Sequence, residues 1–491
     1  MSPSIEPFNE AKYNALMDGL ECKELLFSTV KKANKSVRFD PEYYSKLALS
    51  TESFILSKPH YFLDTRNVVS GPFGSTLKSS SYLEKGDVPF VRIENIKGGF
   101  YISRSNLVYI SSFDNSRIAN SQLSEDDIVL SKVGNSIGFF ARVDSVLKGC
   151  NISENNIGIK LEGFSTAQKH AILTYFNSKY GQILLLRRRS GNAQPKLNVD
   201  DVCFIPIPVF GNSFCEKISN IIIQSEILMH QAQDIYEEAN RYLLLKLNYD
   251  AQKISADSIA VKTITNTFGN TGRLDAEYYQ PKFDDLFLIL SQLTTKSLDS
   301  IVTTTKSIEP GSECYGEIGV PFIRVSDVSI TGISNPTIKI PENTVSSIET
   351  LFPKKDTILF SKDGSVGIAY QVEEDLRAVT SGALLHFKVK NTKEILPEYL
   401  ALVLNSDIVQ LQAERDASGA IIQHWKPDDI KKVTIPILSY EIQKEIADSV
   451  KSSFTKRRKA EKLIQVAINA VELAIENGED AALKWLETQV D

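Results

Sequence analysis

Two long stretches of the chain carry an apolar or small residue at every third and fourth position without a break. In the first, Ile218, Ser225, Ala232 and Ala239 alternate with Ile221, Leu228, Ile235 and Tyr242. Such heptad spacing holds one seam of a helix against a partner helix, and the small residues in it let two backbones approach closely. Moving on by 228 residues reaches Ile446, Ser453, Ala460, Leu463 and Ala467, the same seam in the same phase. The pattern predicts two long helices, within residues 211–250 and 439–478, whose most economical partners are each other, packed antiparallel in one chain. Ser213 with Glu216 reads as a capping box opening the first helix, and Asn477-Gly478 as the end of the second. Elsewhere, short β-branched runs at residues 88–93, 127–131 and 157–161, bounded by Gly, Asn and Ser, predict strands. Residues 171–186 and 397–414 carry helical apolar spacing, and each leads through a Gly-containing loop to an Ile-Pro strand.

The recurrence is not confined to the helices. Arg38-Phe39-Asp40-Pro41-Glu42-Tyr43-Tyr44 returns as Arg273-Leu274-Asp275-Ala276-Glu277-Tyr278-Tyr279 at an offset of 235, and Val88-Pro89-Phe90-Val91-Arg92-Ile93 returns as Val320-Pro321-Phe322-Ile323-Arg324-Val325. Asp127 to Lys132 matches Thr357 to Lys362, Asn177-Ser178 matches Asn405-Ser406, and Ile207-Pro208-Val209 matches Ile435-Pro436-Ile437, the last two at 228. Two copies of so long a unit predict a pseudo-twofold molecule and not a solenoid. The expected fold is α/β (α+β), with two tandem globular domains joined by long antiparallel coiled-coil helices. Its segments are an N-terminal helical segment and lead-in strand (1–37), a first domain (38–210), the first long helix (211–250), a second domain with its lead-in (251–438), the second long helix (439–478) and a tail (479–491). Phe8-Asn9-Glu10-Ala11 also matches Tyr236-Glu237-Glu238-Ala239 at 228, so the N-terminal segment is expected to close the pseudo-symmetry beside the second helix. A helix of about 35 residues is roughly 50 Å long, on the order of 15 base pairs of duplex, and a pseudo-dyad presents two domains to a duplex as dimeric readers present theirs to half-sites.

Composition narrows the field. The 491 residues are 42% apolar and 24% charged, with no apolar run long enough for a membrane span and no leader-like N-terminus, so a cytoplasmic protein is expected. The five cysteines, Cys22, Cys150, Cys203, Cys215 and Cys314, form neither a metal-ligand spacing nor an even set, and are read as reduced and structural. A net charge of -6 does not advertise nucleic-acid binding, though a binding face is a local property.

The run from Ser70-Gly71-Pro72-Phe73-Gly74-Ser75 to Tyr82, followed by Gly86-Asp87-Val88-Pro89-Phe90-Val91-Arg92-Ile93-Glu94-Asn95-Ile96, resembles the target recognition domain of specificity subunits in type I restriction-modification systems. Leu130-Ser131-Lys132-Val133-Gly134-Asn135-Ser136-Ile137-Gly138 and Ser190-Gly191-Asn192-Ala193-Gln194-Pro195-Lys196-Leu197 carry the same resemblance. It covers nearly the whole chain, including the order of domains and helices. The resemblance implies a non-catalytic subunit in which each recognition domain reads one half of a split, asymmetric duplex sequence. It further implies that the helix pair sets the spacer and docks two modification subunits. S-adenosylmethionine, ATP and Mg are expected on the methyltransferase and motor-nuclease partners, with no cofactor or metal on this chain. The second domain departs from the pattern at Glu309-Pro310-Gly311-Ser312-Glu313-Cys314-Tyr315, and its Lys362 to Gly367 loop is one residue shorter than Lys132 to Gly138.

Several groups are candidates for the DNA face. Arg187, Arg188, Arg189 and Lys196 are cations around a polar loop. They are read as phosphate contacts, with Asn192 or Gln194 suited to an adenine edge; the alternative is an ordinary cationic helix end. Lys132 and Lys362 sit at matching strand ends before Gly-containing loops, with Asn135 and Ser365 in those loops. Lys78, Ser80 and Tyr82 line a groove or form a turn. Ser418, Gln423, His424 and Lys426 occupy the second domain's version of the polar loop, where Trp425 is either a core anchor or a wedge against a sugar. Arg92 and Arg324 read as members of internal ion pairs. No phosphate-cradling Gly-Lys-Ser/Thr loop and no Asn-Pro-Pro-aromatic methyltransferase motif is present. Pro427-Asp428-Asp429-Ile430-Lys431 reads as a helix N-terminal turn, not a nuclease cluster. A scaffold that does not bind DNA, and a specificity subunit whose partner fuses methyltransferase and nuclease, stand as the alternatives.

Overall fold

Strand 128–131 is buried throughout, and apolar up to its last residue Ser131, because both its faces are covered. In the computed structural model, which describes residues 8–21, 23–33, 38–191, 195–334, 336–419 and 423–489, Ile128 and Leu130 point into one core with Phe140, Ile157 and Phe176. Val129 points into a second core with Val91, Ala141 and Ile152, as the two-residue period of a strand requires. The chain divides into two units, residues 1–228 with 459–491, and residues 229–458. Each unit therefore takes its own domain and a half of each long helix.

In the first unit the sheet order is 68–70, 156–159, 128–131, 140–142 and 100–101, beside a smaller sheet ordered 108–110, 88–91 and 151–152. In the second unit the order is 302–306, 384–389, 358–361 and 369–371, beside 339–340, 320–323 and 379–380. Directions recur as well: Phe90 pairs in parallel with Asn151, and Phe322 with Val379. The repeat is thus one of register, not only of sequence.

The helical stretches 171–186 and 397–414 each break once, at repeat-equivalent serines. Thr166–Asn177 is followed by Lys179–Leu186, and Pro397–Asn405 by Asp407–Asp416. Ser178 turns out of helical geometry at ψ 162° and its hydroxyl accepts from Gly181 N. A Cβ at Gly181 would lie 2.2 Å from Tyr175 O, so only glycine lets the second helix fold back so closely.

The long helices are Asn212–Lys246 and Tyr440–Asn477. Within the first unit, Ile218, Ile221 and Ile222 share a core with Ile464, Ala467, Ala470 and Val471, and Ser225 Oγ donates to Ala460 O at 2.7 Å. Within the second unit, Ala239, Leu243 and Leu247 share a core with Ile446, Val450 and Phe454, and Ser453 Oγ donates to Ala232 O at 2.6 Å. Lys456 reaches Gln231 and Tyr242 reaches Glu445, so partner numbers fall on one helix as they rise on the other. The helix halves are antiparallel in each unit. Leu228, Ile235 and Leu463 are half-buried at the edge of the seam.

The ends of the elements differ in places from the sequence-based expectation. The first long helix starts at Asn212, which puts Ser213 inside it, and the amide of Gly211 donates instead to Glu479 Oε1 at 2.9 Å. A carboxylate from the tail thus caps this N-terminus, where the helix dipole favours negative charge. The tail itself forms helix Glu479–Glu487 and places Ala482 and Leu486 in the core. The N-terminal helix is Glu10–Met17, with Tyr13 and Met17 half-buried and no residue fully so. The first strand among the described residues is His60–Tyr61, so residues 1–37 supply no lead-in strand among those described. The second helix ends as expected, at Asn477 before Gly478 with φ 91°.

Candidate nucleic-acid interface

The Arg-x-Asp-x-x-Tyr-Tyr repeat builds a support for the neighbouring loops. Arg38 pairs with Asp40 and donates to Arg188 O and Arg189 O, both at 2.8 Å, satisfying carbonyls at the end of helix 179–186. The Tyr43 ring lies 4.8 Å from the Arg38 guanidinium and 4.4 Å from that of Arg187. The second unit repeats the arrangement, with Tyr278 at 4.3 Å from Arg273 and 5.0 Å from Arg415.

This support changes the reading of the arginine run. Arg187 and Arg188 are 6% and 3% exposed. Both pair with Glu52, at 3.0 and 3.1 Å, and Arg188 also donates to Phe204 O and the Tyr43 hydroxyl. They are therefore internal and not phosphate contacts, because their charge is already compensated by the Glu52 carboxylate. Burial lowers the pKa of Arg188. Arg189, by contrast, is exposed.

Beyond the arginines the polar loop is zipped to the lysine loop. Ser190 and Lys196 exchange backbone hydrogen bonds at 2.9 and 2.8 Å, and Leu197 N donates to Lys132 O at 2.9 Å. In the second unit Ser418 and His424 exchange the same pair, and Trp425 N donates to Lys362 O at 2.8 Å. Leu197 and Trp425 are thus equivalent core anchors; Trp425 is 1% exposed, with Phe360 at 5.8 Å, which removes the sugar-wedge reading. Lys196, Ser418, Gln423, His424 and Lys426 remain exposed on these loops. Asn192 and Gln194 lie outside the described residues, as does the side chain of Asn135.

A glutamine in each unit fixes the far end of the lysine loop. Gln182 Nε2 donates to Gly138 O and Phe176 O, and Gln410 Nε2 to Gly367 O and Leu404 O. Gly138 and Gly367 have φ of 91° and 84°, and a Cβ there would lie 3.0 and 2.8 Å from the clamping amide. Sequence reading missed this pair, although Gln182 and Gln410 stand at the repeat offset of 228 and that recurrence was the available signal. Inside the loops, Ser131 Oγ bonds Ser136 Oγ and Ser361 Oγ donates to Ser365 O, leaving the Ser365 side chain exposed.

The two lysines are held differently. Lys132 Nζ donates to Ser70 Oγ at 2.7 Å, and burial lowers its pKa while Glu154 opposes the shift. Its ammonium is bonded to a neutral hydroxyl and lies within the field of the Glu154 carboxylate. Lys362 pairs with Asp363, whose other oxygen lies 2.8 Å from His424 Nδ1. Burial works to raise the Asp363 pKa, but the hydrogen bonds from Lys362 and His424 hold it below the usual carboxylate range.

Beside Lys132 is a hollow lined by Tyr82, Arg92, Glu94, Ser153, Glu154 and Asn155. Arg92 is occupied, pairing with Glu94 and lying 5.7 Å from the Tyr82 ring centre, and its amide is capped by Asn95 as that of Arg324 is by Asp327. Arg324 likewise pairs with Asp327. Lys78 and Ser80 are exposed on the turn before Tyr82. Tyr82, Lys132 and Lys196 are thereby drawn together on one side of the first unit. The Pro427–Ile430 segment is a helical turn with Pro at its start and Lys431 paired to Asp428.

Among the described residues no helix is long and apolar enough to cross a membrane. Comparison with known proteins finds that residues 292–469 match the family described as "Type I restriction modification DNA specificity domain". No curated protein matches the sequence. Solved structures that align include the type I restriction-modification system S subunit from M. genitalium, at 12% identity over 87% of this chain and 96% of that one, with a TM-score of 0.33. The HsdS subunit from Thermoanaerobacter tengcongensis aligns at 13% identity over 85% and 97%, with a TM-score of 0.27. Residues 292–469 thus carry the type I restriction-modification DNA specificity domain, and the first domain repeats its sheets, zipped loops and glutamine clamp.

Proposed function

We propose that each unit reads one half of a bipartite, asymmetric duplex target, that the antiparallel helices fix the gap between the halves, and that the helices and adjoining surfaces dock two modification subunits. The observation that carries this reading is the lysine loop, present in both units, zipped and clamped alike, but set among different neighbours: a serine hydroxyl in one and an Asp-His pair in the other. Identical scaffolds with different exposed chemistry suit two different half-sites. Lys132, Lys196, Arg189 and Lys78 in the first unit, and Lys426 with the His424 and Gln423 edge in the second, would meet phosphates and groove edges. Specificity subunits of this family generally lack catalysis; here S-adenosylmethionine, ATP and Mg would belong to the methyltransferase and motor-nuclease partners. The test is retention of duplexes carrying a randomised split site by the full chain with its methyltransferase partner at moderate salt. The reading expects two short specified blocks separated by a fixed unspecified gap, and enrichment of one block only, or of none, overturns it.

A further inference from the structure

The turn at residues 153–155 is pinned from four sides. Ser153 N donates to Val91 O, Asn156 N to Ser153 O, Gly71 N to Asn156 O, and Lys132 N to Asn155 O. Asn156, fully buried, adds a side-chain bond to Val91 O at 2.9 Å. Gly71 approaches so closely that a Cβ on it would lie 2.0 Å from Ser153 O. Glu154 projects from this rigid turn into the hollow, and its charge acts on both Tyr82 and Lys132. Among the described residues its carboxylate accepts no hydrogen bond.

The second unit makes the same turn with Ser381, Gly382 and Ala383. Ser381 N donates to Ile323 O, Leu384 N to Ser381 O, and Lys362 N to Ala383 O. The turn therefore does not need a glutamate. Nor does its backbone demand glycine, since Gly382 has no positive φ. What Gly382 provides is room: a Cβ there would lie 3.0 Å from Glu309 Oε1 and 3.1 Å from Lys306 Cε. Glu309 comes from the segment where the second domain departs from the first. Two different parts of the chain thus bring a carboxylate to the same turn, Glu154 from within it and Glu309 against Gly382.

A carboxylate is a costly group on a surface that meets phosphates, unless it meets a donor. Ionised, it only accepts, and the base edge matched to it in the major groove is the cytosine N4 amine. We infer that Glu154 and Glu309 are specificity-determining residues, each accepting from the exocyclic amine of a cytosine in the half-site its unit reads. This rests on the bipartite DNA reading proposed above. Lys132 and Lys362 hold the strand in register while the carboxylate discriminates.

The experiment selects from a randomised split-site duplex pool with the full chain in complex with its methyltransferase partner, comparing wild type with Glu154→Gln, Glu154→Gly and Glu309→Gln. Glycine is the residue that the equivalent turn already carries, so Glu154→Gly preserves the fold. Each glutamate variant is expected to lose cytosine preference at one position of one half-site by roughly tenfold to a hundredfold, leaving the other half-site unchanged. Glutamine, which also donates, should shift that position toward adenine. If wild type selects a split motif and all three variants select the same one, the carboxylate assignment is overturned. If wild type selects no sequence, the bipartite reading itself has failed, and this inference with it.

Discussion

Replacing Arg188 by alanine should unfold the first unit more readily without changing how the chain's DNA affinity depends on salt. In the structure its guanidinium donates to Glu52, to Phe204 O and to the Tyr43 hydroxyl, with the side chain 3% exposed. Truncation removes the donor that Arg188 supplies to the Phe204 carbonyl. Glu52 keeps Arg187 and is a quarter exposed, which softens the loss. Breaking a buried pair costs about 3–5 kcal/mol, so a value near the lower end, about 3 kcal/mol, is expected. In a unit of this size each kcal/mol moves the melting temperature by about 2–4 °C, giving a fall of roughly 6–12 °C. Thermal unfolding of the full chain measures it, and duplex affinity between low and moderate salt supplies the second readout. Arg188→Ala should keep the wild-type slope of log affinity against log salt at temperatures where it is folded, whereas Lys132→Gln should reduce that slope by about 0.9, one phosphate contact. A variant that melts like wild type but loses about one unit of slope would refute the structural assignment of Arg188.

Three further outcomes follow from the packing. Gly71→Ala drives a Cβ into Ser153 O; it should displace the turn that carries Glu154 and destabilise the first unit by about 2 kcal/mol or more, read as a lower urea midpoint. Ser453→Ala removes the hydroxyl bond to Ala232 O and should cost about 1 kcal/mol by the same measurement, with Ser225→Ala its counterpart. His386 sits 2.7 Å from Thr380 Oγ1, and burial lowers its pKa from 6.5 to about 4. The unfolded chain takes up a proton below about pH 6.5 that the folded one refuses. This histidine's contribution is therefore intact above that pH and is lost toward pH 4, by about 1.4 kcal/mol per pH unit and on the order of 3 kcal/mol in all. His386→Gln should show a smaller drop in urea midpoint between pH 7.5 and 5 than wild type.

The parts of the fold that were legible in the sequence are those fixed by periodicity and recurrence. A heptad seam with Ser225 and Ser453 in phase prescribes where two helices touch, and the structure uses those same serines to bond across the pair. Strands such as 128–131 and 358–361 announce themselves because both faces are buried. The site was less legible because its chemistry depends on partners far away in sequence. Arg187-Arg188-Arg189 looks like one cationic patch along the chain, yet Glu52, 135 residues earlier, takes the first two inward. The capping box at Ser213 was displaced by a carboxylate from Glu479, a contact across 268 residues. Glu154 and Glu309 share no sequence position in the repeat, so only the equivalence of the two turns brings them together. Gln182 and Gln410, in contrast, were readable from the offset alone.

The central claim, that this chain supplies DNA specificity through two half-site readers, is tested most directly by mapping adenine methylation in a host expressing the chain with its methyltransferase partner, against the same host lacking only this chain. The account predicts a split, asymmetric methylated motif that disappears with the chain, and whose two halves respond separately to changes in the first and second units. Methylation that is unchanged by removing the chain would contradict it.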